Sequence, residues 1–236
     1  MKQLFTSSIF VVAALFAGAS FAEVGASPVP SDKAISTEIN KEPEHPKGVI
    51  ENKLISDAPL KSDFVLGKDD AAIVMVEYAS LSCPHCAHFN ASIMPELQKK
   101  YIDTGKIRYV LRQYPLNEPA LRGAMLVNCV GKKQGAEKYY QFNKVLFDAQ
   151  SKWAFDGNWQ SALETIAAVG GINKEEFDAC LKDTDNESAA LKSKMEAQNE
   201  LRVPHTPYLF IGGEAYNDNL AIDDIAKFID RKIAEK

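Results

Sequence analysis

"EYASLSCPHCAHF", residues 77–89, sets two of the chain's four cysteines three positions apart, with a proline and a histidine between them. Before it, "AAIVMVEYAS" at 71–80 is apolar, β-branched and short, which reads as a buried strand. After it, Phe89, Ile93, Leu97 and Tyr101 recur at helical spacing, so a helix is expected from Cys83 to about Tyr101, kinked at Pro95. The dithiol therefore falls on a strand-to-helix turn. "KIRYVLRQY" at 106–114 alternates, with Ile107, Tyr109 and Leu111 turned inward, and reads as a second strand. Strand, helix and strand make a βαβ unit if the strands are parallel.

Beyond Pro119 the pattern changes to helices alone. Leu121, Met125 and Cys129 form one stripe, Tyr139, Phe142 and Leu146 a second, and Trp159, Leu163, Ile166 and Gly170 a third. "NKEEFDACL" opens a fourth helix, with Asn173 as N-cap, Glu176 at the capping-box position, and Phe177, Cys180 and Leu181 inward. A fifth, from about Asn186, offers Leu191 and Met195 as its apolar face. "TPYLFIGGEAY" then reads as strand, two-glycine turn and strand, and "LAIDDIAKFIDRKI" as an amphipathic helix with Ile222, Ile225, Phe228, Ile229 and Ile233 apolar. The order is βαβ, helices, ββα, which is an α/β thioredoxin-like fold with an inserted all-helical subdomain. The thioredoxin-like part takes residues 58–116 and 202–236, and the insertion 117–201.

Compartment decides what cysteines can do. The chain opens "MKQLFTSSIFVVAALFAGASFA", with Lys2, a short apolar run and small residues around Phe21, the pattern of a signal peptide cleaved after Ala22. The apolar run from Ile9 to Ala19 is shorter than the roughly 20 residues that span a bilayer. Residues 23–57 carry four prolines and few large apolar side chains, so they read as a flexible leader. The exported product sits where disulfides persist. Removing residues 1–22 takes only Lys2 among the charges, moving the net charge from −5 to −6, and no basic block points to nucleic acid. At 46% hydrophobic and 25% charged residues, the composition is that of an ordinary globular domain.

Cys83, at the expected N-terminus of a helix, meets unpaired backbone N–H groups and the positive end of the helix dipole, which favour a thiolate. Bringing a thiol from about 8.5 into the 3.5 to 7.5 range takes roughly 1.4 to 7 kcal/mol, and a helix terminus supplies at most about 2. The balance has to come from N–H and S–H donors and from His85, which the turn brings beside the sulfur. Cys86, one turn further in, is the shielded partner that closes the ring. The competing reading is half a zinc site with His85 or His88. A closed site needs four ligands, and the chain offers only His45 and His205 beyond these, with Cys129 and Cys180 on apolar helix faces, so no metal is expected.

Three further features carry chemistry. Glu77 stands in an apolar strand six residues before Cys83. It is either an edge glutamate facing solvent or a buried carboxyl of raised pKa that exchanges protons with Cys86. Pro207, after Thr206, opens a strand and is a candidate cis proline, with Pro204 a competing one. Cys129 and Cys180 are either a disulfide bracing two helices of the insertion or small buried hydrophobes.

The region from about residue 60 to the end resembles the DsbA-like thiol:disulfide oxidoreductases of the bacterial periplasm. The resemblance is carried by "EYASLSCPHCAHF", by "YIDTGKIRYVLRQYPL" at 101–116 and by "HTPYLFIGG" at 205–213. It implies a protein dithiol oxidase that needs no cofactor beyond a redox-active Cys83–Cys86 disulfide. It further implies that Pro207 is the cis proline, with Thr206 pairing to an extended substrate, that Glu77 is the proton-exchanging acid, and that Cys129 and Cys180 form a second disulfide. Its expected partners are reduced or unfolded exported proteins and a DsbB-like, quinone-linked membrane oxidase, met as a monomer in the periplasm. Two other readings of the same fold are a disulfide isomerase or reductase and a non-catalytic peptide-binding chaperone.

Overall fold

The apolar run at 73–79 forms β2 (Ile73–Ala79), every residue of which is buried, as expected of a strand covered on both faces. It belongs to a computed structural model that describes residues 59–155 and 157–236. The expected signal peptide and the leader through residue 57 lie outside the described residues. β2 pairs in parallel with β3 (Ile107–Gln113), setting Met75 opposite Tyr109 and Glu77 opposite Leu111. On its other side β4 (Tyr208–Ile211) runs antiparallel, with Glu77 opposite Leu209. β5 (Glu214–Tyr216) returns from β4 through Gly212 and Gly213, both at positive φ, the backbone a two-residue hairpin loop demands. β1 (Val65–Leu66) pairs antiparallel with β3, giving a sheet ordered β1-β3-β2-β4-β5.

The period-two alternation of the strands divides the core. Ile73, Met75, Ala79, Tyr109, Leu111 and Leu209 face the larger cluster, which holds Cys83, Cys86 and the insertion's aromatic residues. Val74, Val76, Tyr78 and Phe210 face a smaller one closed by Leu201 and Val203. On that second side Arg112 grips Asp63 through Nε and Nη2, at 3.0 and 2.8 Å, and donates from Nη1 to the Tyr78 hydroxyl. With both side chains under a tenth exposed, this fork ties the segment before β1 to the centre of the sheet.

The single helix expected over 83–101 is broken. α1 (Pro84–Ser92) stops at Ile93, α2 (Met94–Leu97) follows, and a π-helical turn spans Gln98–Ile102. Pro95 has no N–H to donate and crowds the preceding turn, so the interruption falls ahead of it. Leu97 and Tyr101 nevertheless stay buried as their spacing requires.

Between β3 and β4 lie α3 (Glu118–Gln134), α4 (Ala136–Asp148), α5 (Gln150–Trp153), α6 (Trp159–Val169), α7 (Lys174–Lys182) and α8 (Thr184–Asn199), with no strand among the described residues there. Asn117 caps α3 by accepting from the Ala120 amide, and Asn173 caps α7 by accepting from the Glu176 amide. The Glu176 carboxylate lies 3.5 Å from Lys133 Nζ on α3. Cys129 on α3 and Cys180 on α7 are bonded, with Cα atoms 5.8 Å apart.

α8 departs from the expectation drawn for it. It starts at Thr184, capped by Asp183, and it buries Asn186, Ala190 and Ala197 while Leu191 and Met195 are 39% and 59% exposed. Small residues face α3, where Leu121, Ala124 and Met125 leave room for an alanine. α9 (Ile222–Ala234) closes the chain with Ile225 and Ile229 buried against the larger core. Among the described residues no helix is long and apolar enough to cross a membrane.

Candidate active site

β2 ends at Ala79, and the loop from Ser80 to Cys83 turns into α1. Ser80 shapes that turn: its carbonyl accepts from the Cys83 amide at 3.0 Å, and its Oγ accepts from the amides of Ser82 and Leu116. Cys83 is the N-cap of α1 in extended conformation, with Pro84 at the first helical position, where a missing N–H costs nothing. The Cys83 sulfur is thus set at the helix terminus, as the spacing predicts.

Across from it lies the loop before β4. The Thr206–Pro207 peptide bond is cis. Thr206 is buried, and its carbonyl oxygen lies 3.2 Å from Cys83 Sγ, so the protonated Cys83 thiol donates to the backbone of the facing loop across 123 residues of sequence. The cis bond falls at Pro207 and leaves Pro204 exposed one turn away.

The two thiols are driven apart electrostatically. The Cys86 thiol donates toward the Cys83 sulfur, and this, with the Thr206 side chain and the backbone N–H groups of Cys86 and His85, overcomes burial and lowers the Cys83 pKa to about 5. Cys86 is fully buried. That burial, its hydrogen bond to Cys83 and the Glu77 charge push its pKa well above the ordinary thiol value. One sulfur is therefore a thiolate at neutral pH and the other holds its proton. His85 reaches the sulfur through its backbone N–H, while its imidazole stands exposed on the outer side of α1.

Glu77 is 1% exposed, on the β2 face shared with the larger core. Burial raises its pKa to about 7, a hydrogen bond from Tyr109 Oη opposes the rise, and the nearby Cys83 charge adds to it. The solvent-facing alternative is thus closed, and the carboxyl is placed to exchange a proton near neutrality. Among the described residues there is no cluster of metal-ligating side chains.

Two contributors were not visible in the sequence as site residues. Tyr109 was expected inward as an apolar residue, but its hydroxyl is the partner of Glu77. Gln150, on α5, sends its side-chain amide to the carbonyls of Leu81 and Cys83 at 2.8 and 3.0 Å. One glutamine in "FDAQSKW" carries no pattern that separates it from a surface residue.

With this geometry in place, the relatives are informative. Residues 60–231 match the family model described as Thioredoxin, and the chain belongs to that family. A Rickettsia prowazekii protein, provisionally named a protein-disulfide oxidoreductase, is 33% identical over 175 residues, which cover 74% of this chain and 63% of that protein. The chain thus spans under two thirds of that relative's length. Disulfide bond formation protein D of Bacillus subtilis is 23% identical over 78% of this chain and 84% of its own length. Among solved structures, α-DsbA1 of Wolbachia pipientis superposes with a TM-score of 0.69 at 31% identity, covering 78% of this chain and 96% of that one. The structural neighbours are DsbA-like proteins of thioredoxin fold, as the sequence motifs imply.

Proposed function

We propose that the chain is a periplasmic dithiol oxidase that donates a Cys83–Cys86 disulfide to reduced exported proteins. In this reading a client thiolate attacks Cys83 Sγ, the Cys83–Cys86 bond breaks, and a mixed disulfide forms between client and Cys83. The electron pair leaves on the Cys86 sulfur, which takes up a proton, with protonated Glu77 as the nearby buried donor. A second client thiolate then attacks the client sulfur of the mixed disulfide and expels Cys83 as a thiolate. The client has lost two electrons and the enzyme has gained them. Reoxidation passes those two electrons to a DsbB-like quinone-linked membrane oxidase; the Cys86 proton is released as the disulfide closes, and the other proton that the quinone takes up comes from solvent. The redox group is the cysteine pair itself, so no cofactor is invoked, and the enzyme acts as a monomer.

The observation that carries this reading is the opposite displacement of the two thiols, Cys83 down to about 5 and Cys86 well up. A stabilised Cys83 thiolate is a good leaving group, and stabilising the reduced form makes the disulfide a stronger oxidant. The loop at Thr206 and Pro207 is proposed to receive an extended client segment, its backbone being already against the reactive sulfur. His85, at the mouth of the turn, is proposed to tune the sulfur. The signal-peptide pattern in the sequence of residues 1–22 supports the compartment, and relatives named for disulfide oxidation or formation support the reaction.

The test is oxidation of a reduced, unfolded client by the disulfide form of the protein. Wild type is expected to oxidise it stoichiometrically and Cys83→Ala to be inert, while Cys86→Ala is expected to accumulate a mixed disulfide with oxidised glutathione. Equal client oxidation by wild type and Cys83→Ala would sink the proposal. A reduction potential near that of glutathione, together with reshuffling of a scrambled client, would instead select the isomerase reading.

A further inference from the structure

Gln150 is a neutral side chain on α5, 6% exposed, and its Nε2 donates at once to Leu81 O and Cys83 O. Those carbonyls flank the last turn of the loop that delivers the reactive sulfur. The Cys83 carbonyl also accepts the first hydrogen bond of α1, from the Ala87 amide at 3.1 Å. Its orientation therefore sets both the start of the helix and the aim of the His85 and Cys86 N–H groups at Cys83 Sγ.

α5 is itself anchored. Trp153 is fully buried, its indole N–H donates to Leu146 O at 2.9 Å, and its ring edge, like Leu81 Cδ1, lies close over Gly123 of α3. A Cβ at Gly123 would lie 3.0 Å from both Leu81 Cδ1 and Trp153 Cη2, so any larger residue there would have to push one of these side chains aside. The helical insertion thus holds two carbonyls of the reactive loop with one amide, backed by an indole.

Resting on the oxidoreductase reading, we infer that Gln150 is a positioning residue. It locks the Leu81 and Cys83 carbonyls so that the N–H groups at the start of α1 converge on the Cys83 thiolate, and it links the insertion to the reactivity of the dithiol. Two features favour this over simple bracing. The donor is a double one, from a single planar amide, to two carbonyls that span the turn. And the bonded atom, Cys83 O, belongs to the nucleophile's own residue.

The variant is Gln150→Met, which keeps the side chain's length and removes both donors. Expected is a rise of about one unit in the midpoint of the Cys83 thiolate titration, followed by ultraviolet absorbance. On the acid side of that titration, alkylation of Cys83 should slow about tenfold, in proportion to the thiolate lost. The equilibrium constant with glutathione should move in the less oxidising direction by a similar factor. A lower thermal midpoint with unchanged titration and unchanged glutathione equilibrium would leave Gln150 a structural brace and overturn the inference. Should the variant not fold, the wild-type protein decides: the Gln150 side-chain amide resonances are expected to differ between the dithiol and disulfide forms, and identical resonances would overturn it. Client oxidation by wild type is measured alongside, so loss of the underlying activity is told apart from loss of this role.

Discussion

Tyr109 donates its hydroxyl hydrogen to Glu77 Oε2 inside the larger core, where each side chain is 1% exposed. The register explains the meeting. Tyr109 stands opposite Met75 on the parallel neighbour of β2, and Glu77 is two residues further along the same face. A phenol, unlike a cation, favours the carboxylate without neutralising it. Glu77 therefore remains titratable near pH 7 rather than being locked in its charged form.

That position has a cost to stability that Glu77→Gln removes. The folded pKa of Glu77, about 7, lies above its ordinary 4.5, so the folded state holds this proton more tightly than the unfolded chain does. The associated stability is present below about 4.5 and is lost as the pH rises through about 7, up to roughly 3 kcal/mol for the displacement of about 2.5 units. Denaturant unfolding of the disulfide form, where no Cys83 charge adds to the rise and the upper edge of the window falls correspondingly lower, should show wild type losing stability with pH and Glu77→Gln holding level. Client oxidation by the variant should be slower, because a glutamine cannot supply the Cys86 proton. Parallel pH profiles for the two proteins would assign the dependence to another group.

Tyr109→Phe tests the other half of the pair. Deleting the hydroxyl removes the hydrogen bond that lowers the Glu77 pKa and leaves its burial intact, so the carboxyl should titrate above about 7. The carbon-13 shift of the Glu77 carboxyl against pH measures this directly. The limb of the oxidation rate profile assigned to Glu77 should move upward with it. A midpoint at or below the wild-type value would mean that the hydroxyl does not favour the carboxylate.

How much of this was readable in advance differs by residue. β2 and the turn after it were legible because an unbroken apolar run followed by Cys-Pro admits few local structures. The burial of Glu77 was legible only as an alternative, since a single strand does not reveal whether both its faces are covered. β1 was not read, because a two-residue edge strand is decided by β3, its partner, and not by its own propensity. Leu191 and Met195 misled for a related reason: hydrophobicity marks an inward face until the neighbouring helix comes close enough to admit only alanine. Gln150 left no trace, since its role depends on two backbone carbonyls contributed from 67 and 69 residues away.

The dithiol and disulfide forms should respond differently to pH. Cys83 titrates only in the dithiol form, with its pKa lowered from 9 to about 5. A depressed acid contributes stability that is present above the unfolded value and lost as the pH falls through the folded one. The dithiol form should therefore gain stability over the disulfide form as the pH rises between about 5 and 9. The potential carries the same signature: above about pH 5 one fewer proton is consumed on reduction, so it should fall by about 30 mV per pH unit rather than about 60, wherever Glu77 is not itself titrating. Redox equilibration with glutathione across this range measures it. A slope of about 60 mV throughout would mean that Cys83 stays protonated.

The second disulfide should govern stability and leave the reactive pair alone. It joins α3 to α7 across 51 residues, and the chain-entropy account values a loop of that length at roughly 4 kcal/mol. Replacing Cys129 and Cys180 together by alanine should lower the urea midpoint correspondingly, with the denaturant slope steeper to the extent that the unlinked unfolded chain opens further. The groups that tune Cys83, namely Cys86, Thr206 and the His85 amide, lie on α1 and on the loop before β4, so the thiolate titration should keep its midpoint. The side-chain hydrogen bonds from the insertion to the Leu81 and Cys83 carbonyls come from Gln150 on α5, which neither cysteine-bearing helix supplies. A titration that moves together with the loss of the α3–α7 link would show that the brace extends through α5 to the reactive loop.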